Sequence, residues 1–313
     1  MTFQEMFNSY IAYRKASDYK VVEPKELKRF HRFMLKQQGD KIFLCQDIIN
    51  EWFLQTKTET KRSYHARVYP IVSFLKYAIQ RGYSDVSIPK IIKNPPYQAT
   101  PHVFTDAELA NFFKACDEYQ IPQNALKDKL KKLAVPVLFR LMFATGMRPC
   151  ECRYLSTESV DLANGVITIH ESKGYRERKI PIHSSTKEML CKYDKAVSSL
   201  IPNRKVFFPT QHDCFYGKGW ISMNFTRFWY KYNKARAVSY DFRHNFAIRN
   251  INSWINVESD IHSLMVALSK YMGHREFVST MYYYSLVPRL GHTIEELSVK
   301  TFNNIIPNLS DYE

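Results

Sequence analysis

Residues 272–285 read MGHREFVSTMYYYS: a glycine and a histidine, Gly273 and His274, with the middle one of three consecutive tyrosines, Tyr283, nine positions on. Taken alone the stretch is ordinary. A Gly-His pair commonly closes a helix, and tyrosine runs usually pack. Three earlier stretches change its meaning. Residues 239–250 read SYDFRHNFAIRN, where Arg243 is expected near the start of a helix. Residues 167–182 read ITIHESKGYRERKIPI. Here Val166–His170 and Lys179–Ile182 are predicted to be short strands, and the polar segment between them, carrying Lys173, suits a hairpin tip. Residues 144–155 read ATGMRPCECRYL, with Arg148 just after a Thr-Gly turn and Glu151 three positions later, on the same helical face.

Together these residue types match the demands of phosphoryl transfer. A phosphodiester is anionic and repels nucleophiles, and its transition state spreads charge over the non-bridging oxygens. Two arginines, Arg148 and Arg243, can clamp those oxygens with donors in fixed geometry. The leaving sugar 5′-oxygen needs a proton, which Lys173 can donate. A tyrosine oxygen can hold the cut end covalently and keep the bond energy for rejoining. His274 is expected to hydrogen-bond a non-bridging oxygen, and Glu151 to orient Arg148. Such chemistry calls for no metal or nucleotide cofactor. The six cysteines include no CxxC pair or zinc-type spacing, and Cys150 and Cys152 are expected to act as small hydrophobes.

The order Arg148, Lys173, Tyr240-x-x-Arg243, Gly273-His274 and Tyr283 resembles the tyrosine recombinase (phage integrase) family over roughly residues 103–290. The resemblance implies a mainly α fold with a small antiparallel β-sheet (α+β), made of a helical core-binding domain and a catalytic domain. The usual Gly-His-to-Tyr spacing in the family selects Tyr283 as nucleophile, ahead of Tyr284 and then Tyr282. One departure stands out: Tyr240 occupies a position that is commonly histidine. A phenol with a pKa of about 10 accepts protons poorly at neutral pH. Tyr240 is therefore expected to hydrogen-bond the phosphate, leaving the general base unassigned. His244 is expected to be structural.

The resemblance further implies a site-specific recombinase of a mobile element, working through a 3′-phosphotyrosyl intermediate. Its partners would be double-stranded recombination sites, paired in a homotetramer, and an accessory directionality factor. It would be cytoplasmic and nucleoid-associated, of bacterial or phage origin. Residues 292–306, HTIEELSVKTFNNII, would dock on a neighbouring protomer or on their own domain. Two other readings share some of these features: a type IB topoisomerase, and a catalytically impaired DNA-binding regulator.

Composition agrees with a nucleic-acid partner. The 313 residues carry 45 Lys+Arg against 30 Asp+Glu, a net charge of +15. A surplus of this size suits a polyanion. It is shared along the chain, with 17 Lys+Arg and 9 Asp+Glu in residues 1–100. No stretch approaches the roughly 20 apolar residues of a membrane span, and no secretory signal opens the chain.

Residues 1–95 are predicted to be a helical DNA-binding domain. Runs at 1–15, 25–36 and 45–55 precede the clearest helix, 58–83, where Val68, Ile71, Val72, Leu75 and Ile79 recur at helical spacing. Lys61, Arg62 and Arg67 on that helix are candidate phosphate contacts. Because this domain begins almost at Met1, no further arm-binding domain is expected before it. A Pro-rich stretch then reads as a linker, placed at residues 96–103, and Thr105-Asp-Ala-Glu108 forms a capping box at the start of a catalytic domain over 104–313, which ends in a tail helix.

Overall fold

The first helix, α1 (Phe3–Ala16), opens on a reciprocal cap: Glu5 N donates to Thr2 Oγ1 at 3.3 Å, and Thr2 N donates to Glu5 Oε2 at 2.8 Å. Two donors with no intrahelical partner are thereby satisfied. This computed structural model describes residues 1–19, 23–41, 43–93, 100–120, 125–170, 177–254, 261–274 and 276–284. The chain divides into two units, residues 1–99 and 100–313.

The first unit is helical. After α1 come α2 (Lys25–Gln38), which starts behind Pro24, the short α3 (Gln46–Phe53), and α4 (Lys61–Gln80). Thr60 caps α4 by accepting from Ser63 N at 3.1 Å. Of the periodic residues of α4, Val68, Ile71, Val72 and Leu75 are buried, as is Phe74, whereas Ile79 near its end is exposed. Phe74 meets Phe3, Phe7 and Tyr10 of α1 with ring centroids 5.4–6.2 Å apart. Such aromatic pairs add about 0.5–1.5 kcal/mol each beyond their buried area.

The second unit starts on the predicted capping box, which opens α5 (Asp106–Asp117). α6 (Leu126–Thr145) begins seven residues before the apolar run 133–143 and ends at Gly146. A five-residue helix, α7 (Pro149–Arg153), follows directly. Among the described residues one antiparallel sheet forms, in the order β1 (Val160–Asp161), β2 (Val166–Ile169), β3 (Arg178–Pro181), with Ile167 opposite Ile180. Neither β1 nor the next helix, α8 (Ser184–Ser198), was expected from the sequence. Yet α8 buries Thr186, Leu190, Tyr193 and Val197, a helical spacing. Four further helices complete the described residues: α9 (Trp220–Tyr232), α10 (Asp241–Ser253), α11 (Ile261–Met272) and α12 (Val278–Tyr284).

The main core of this unit centres on Phe112, whose ring lies 4.9–5.5 Å from those of Phe139, Phe225 and Phe242. A smaller apolar cluster joins Ala247, Ile248 and Ile251 of α10, Met265, Leu268 and Met272 of α11, and Tyr283 of α12. That cluster ties the tyrosine run to the helix of Arg243. Among the described residues no helix is long and apolar enough to cross a membrane.

Candidate active site

Two chain reversals and the start of α10 converge on one groove. The first is at Gly146, whose φ of +61° is left-handed. A Cβ there would lie 2.6 Å from the Phe246 ring, so the turn needs glycine for conformation and for space. It delivers Arg148 to the cap of α7, where Arg148 N donates to Glu151 Oε2 at 2.9 Å and Arg148 Nη1 to Glu151 Oε1 at 2.8 Å. Arg148 Nη2 donates to the Gly273 carbonyl at 2.8 Å. Glu151 is thus placed to orient Arg148.

It also holds a second arginine that the sequence reading missed. Arg178 of β3 forks onto both Glu151 oxygens, Nη1 at 3.0 Å and Nη2 at 2.7 Å, while its Nε donates to the Tyr271 carbonyl at 2.9 Å. Burial pushes the Glu151 carboxyl up, but the hydrogen bonds and charges of Arg178 and Arg148 outweigh it and hold it at about 2. Strand alternation was the available signal: Arg178 shares a face with the buried Ile180, whereas Lys179 between them is exposed.

Arg243 comes from the first turn of α10 and is 1% exposed. Its Nη1 donates to the Gly146 carbonyl at 2.9 Å and its Nη2 to the Met272 carbonyl at 2.5 Å. Arg148 lines the groove, while Arg243 stands one layer behind, joining the end of α6 to the end of α11. Its charge still opposes ionisation of the nearby histidines and favours that of Tyr283.

The second reversal is Gly273, with a φ of +63°, which closes α11 and presents His274. His274 Nδ1 shares a 2.6 Å hydrogen bond with Thr280 Oγ1, and Thr280 is fully buried. The His274 ring stacks on that of Tyr283, 5.9 Å apart and 18° from parallel. Of the tyrosine run, Tyr283 is buried and lines the groove while Tyr282 is exposed; the Tyr284 side chain lies outside the described residues. Burial raises the Tyr283 phenol to about 12 despite Arg243 beside it. Burial, and then Arg243, lower His244 to about 4 and His274 to about 3, so both imidazoles are neutral at pH 7. His244, expected to be structural, reaches the candidate nucleophile: its Nδ1 lies 3.1 Å from Tyr283 Oη.

The groove encloses about 1110 Å³, and Arg148, Tyr154, Lys218, Tyr240, His274 and Tyr283 are among the residues that line it. Lys173 lies outside the described residues, as does the segment 292–306. The strand end Ile169 and the following His170 also line the groove. Cys152 is buried as expected, but Cys150 is exposed. Among the described residues no group of three or more His, Cys, Asp or Glu is placed to hold a metal ion.

On the first unit Lys61 and Arg62 are exposed at the start of α4. Arg67 is committed elsewhere. Its Nε and Nη2 each reach a Glu59 oxygen at 2.8 Å, and its other donors bond the carbonyls of Trp52 and Leu54. That neutralised, half-buried guanidinium anchors a loop, a different task from the expected phosphate contact.

A buried phenol set beside a carboxylate-braced arginine, on a mainly helical domain with a small sheet, fits the tyrosine recombinases. It belongs to the phage integrase family, which residues 102–288 match. It is 24% identical over 303 residues to the integrase/recombinase y4rB of Sinorhizobium fredii, covering 92% of this chain and 94% of that protein. With y4rE of the same organism it shares 27% over 190 residues, 58% of this chain and 59% of the relative's length. The fold is that of the Tn1549 transposon integrase solved in complex with transposon right end DNA, with a TM-score of 0.60 and 17% identity over 90% of this chain and 94% of that one.

Proposed function

We propose that this chain is a site-specific DNA recombinase of a mobile element, cutting one strand through Tyr283 and rejoining the end to a new partner. Tyr283 Oη attacks the phosphorus in line, and a 3′-phosphotyrosyl bond forms as the bond to the 5′-oxygen breaks. Arg148 steadies the charge on the non-bridging oxygens, with Glu151 and Arg178 fixing its orientation. His274, held by Thr280, adds a donor to the same oxygens. Lys173 gives the leaving oxygen its proton. The observation that carries this reading is the position of Tyr283: of two neighbouring tyrosines, it alone is turned into the groove that Arg148 lines. The enzyme acts in the cytoplasm, at the nucleoid, as a homotetramer on paired double-stranded sites, and an accessory protein sets its direction.

A nicked duplex that loses its 5′ fragment on cleavage tests the core of this. A covalent protein–DNA band on a denaturing gel is expected from the wild type and not from Tyr283→Phe. A band from Tyr283→Phe, or none from the wild type on a duplex carrying its site, refutes the assignment. Efficient relaxation of any supercoiled plasmid would instead indicate a topoisomerase.

A further inference from the structure

We propose that His244 is the catalytic proton acceptor for Tyr283, taking the place that Tyr240 leaves empty. The proposal rests on the reading of Tyr283 as nucleophile and adds the group that activates it. Tyr240 is the N-cap of α10, with helical backbone angles, and His244 stands four residues later, so the two sit one above the other on the same helix face. Their rings meet edge-on, 5.0 Å apart at 63°. A basic imidazole missing at position 240 is thus supplied one turn later. His244 Nδ1 lies 3.1 Å from Tyr283 Oη, within hydrogen-bond reach.

The competing groups are less well placed. His274 Nδ1 is engaged by Thr280. Its ring is nearly parallel to that of Tyr283, which directs its in-plane lone pair away from the phenol. Tyr240 is itself a phenol and brings no basic nitrogen.

With the proton on Nε2, neutral His244 presents its Nδ1 lone pair to the phenol. As the Oη–phosphorus bond forms, the phenolic proton passes to Nδ1 and the bond to the 5′-oxygen breaks, Lys173 protonating that oxygen. The imidazolium is offset by the anionic phosphoryl group beside it. In rejoining, the incoming 5′-hydroxyl gives its proton to Lys173, and His244 returns its own to the departing Tyr283 oxygen. Arg243 and His274 are the other titratable groups that act on His244 here. Burial and the Arg243 charge keep the imidazole neutral at pH 7, and so able to accept.

The test is single-turnover cleavage of the nicked duplex by the full-length chain carrying His244→Gln, whose amide can hold the phenol but cannot take its proton. A fall of about 10²–10⁴-fold is expected, with DNA binding unchanged. A substrate with sulfur in place of the bridging 5′-oxygen needs no proton on its leaving group. On it the His244→Gln defect should persist. Replacing Tyr283 by a fluorinated, more acidic tyrosine should shrink the defect at least tenfold. Cleavage within threefold of wild type, rescue by the sulfur substrate, or a defect indifferent to fluorination would each overturn the proposal. His244→Asn, run in parallel, covers a folding failure of the Gln variant. A covalent band from Tyr283→Phe would instead refute the nucleophile itself, whatever His244 does.

Discussion

Arg178→Met removes one side of the bridge that holds Glu151, and the structure sets the size of the loss. The Glu151 side chain is almost wholly buried and takes two bonds from Arg178 and two from Arg148. Lowering its carboxyl from the ordinary 4.5 to about 2 corresponds to about 3 kcal/mol. Breaking one partner out of a buried ion pair typically costs about 3–5 kcal/mol, here eased because Arg148 remains. Methionine keeps much of the buried stem, so the change isolates the guanidinium. For a unit of this size a loss of about 3 kcal/mol lowers the melting temperature by about 6–12 °C. The sign with pH follows from the depressed carboxyl. Its stabilisation is fully present above about pH 4.5 and is lost as pH falls toward 2. The gap between wild type and variant should therefore be widest near neutral pH, narrow as pH falls from about 4.5, and close only below about pH 2. Calorimetric unfolding of both proteins from pH 3 to 8 measures this. A drop under 2 °C at pH 7, or a gap that does not narrow in acid, would refute the bracing role. Cleavage should slow as well, because Glu151 is what orients Arg148.

Three further outcomes are expected. Gly146→Ala forces a side chain into a left-handed turn and against the Phe246 ring; it should cost about 2 kcal/mol or more in urea unfolding, and slow cleavage by displacing the carbonyl that holds Arg243. Thr280→Val keeps the shape but removes the hydroxyl that holds His274, so single-turnover cleavage should fall about tenfold with little change in DNA affinity. Arg67→Met should destabilise the chain by about 2–4 kcal/mol without altering the salt dependence of DNA binding, whereas Lys61→Ala with Arg62→Ala should flatten the plot of log affinity against log salt by about 2.

Local rules carried much of this protein. Val68, Ile71 and Leu75 predict α4 because helical periodicity is written within a few turns of chain, and Thr105 with Glu108 predict the start of α5 because a capping box spans four residues. The candidate reactive set was legible for a related reason: phosphoryl transfer admits few side-chain types, and Arg148, Arg243, His274 and Tyr283 occur in a recognisable order. What those residues touch was not legible. Arg178 meets Glu151 across 27 positions, His244 meets Tyr283 across 39, and Arg243 is drawn behind the groove by carbonyls at Gly146 and Met272. Arg67 looked like a phosphate contact until the fold brought Glu59 and two carbonyls to it. The sequence by itself determined most of the helices, two of the three strands and the chemistry on offer. Only the tertiary structure decided which arginine faces the groove and which braces it, and which base meets the phenol, because those contacts join distant segments through packing that no local pattern encodes.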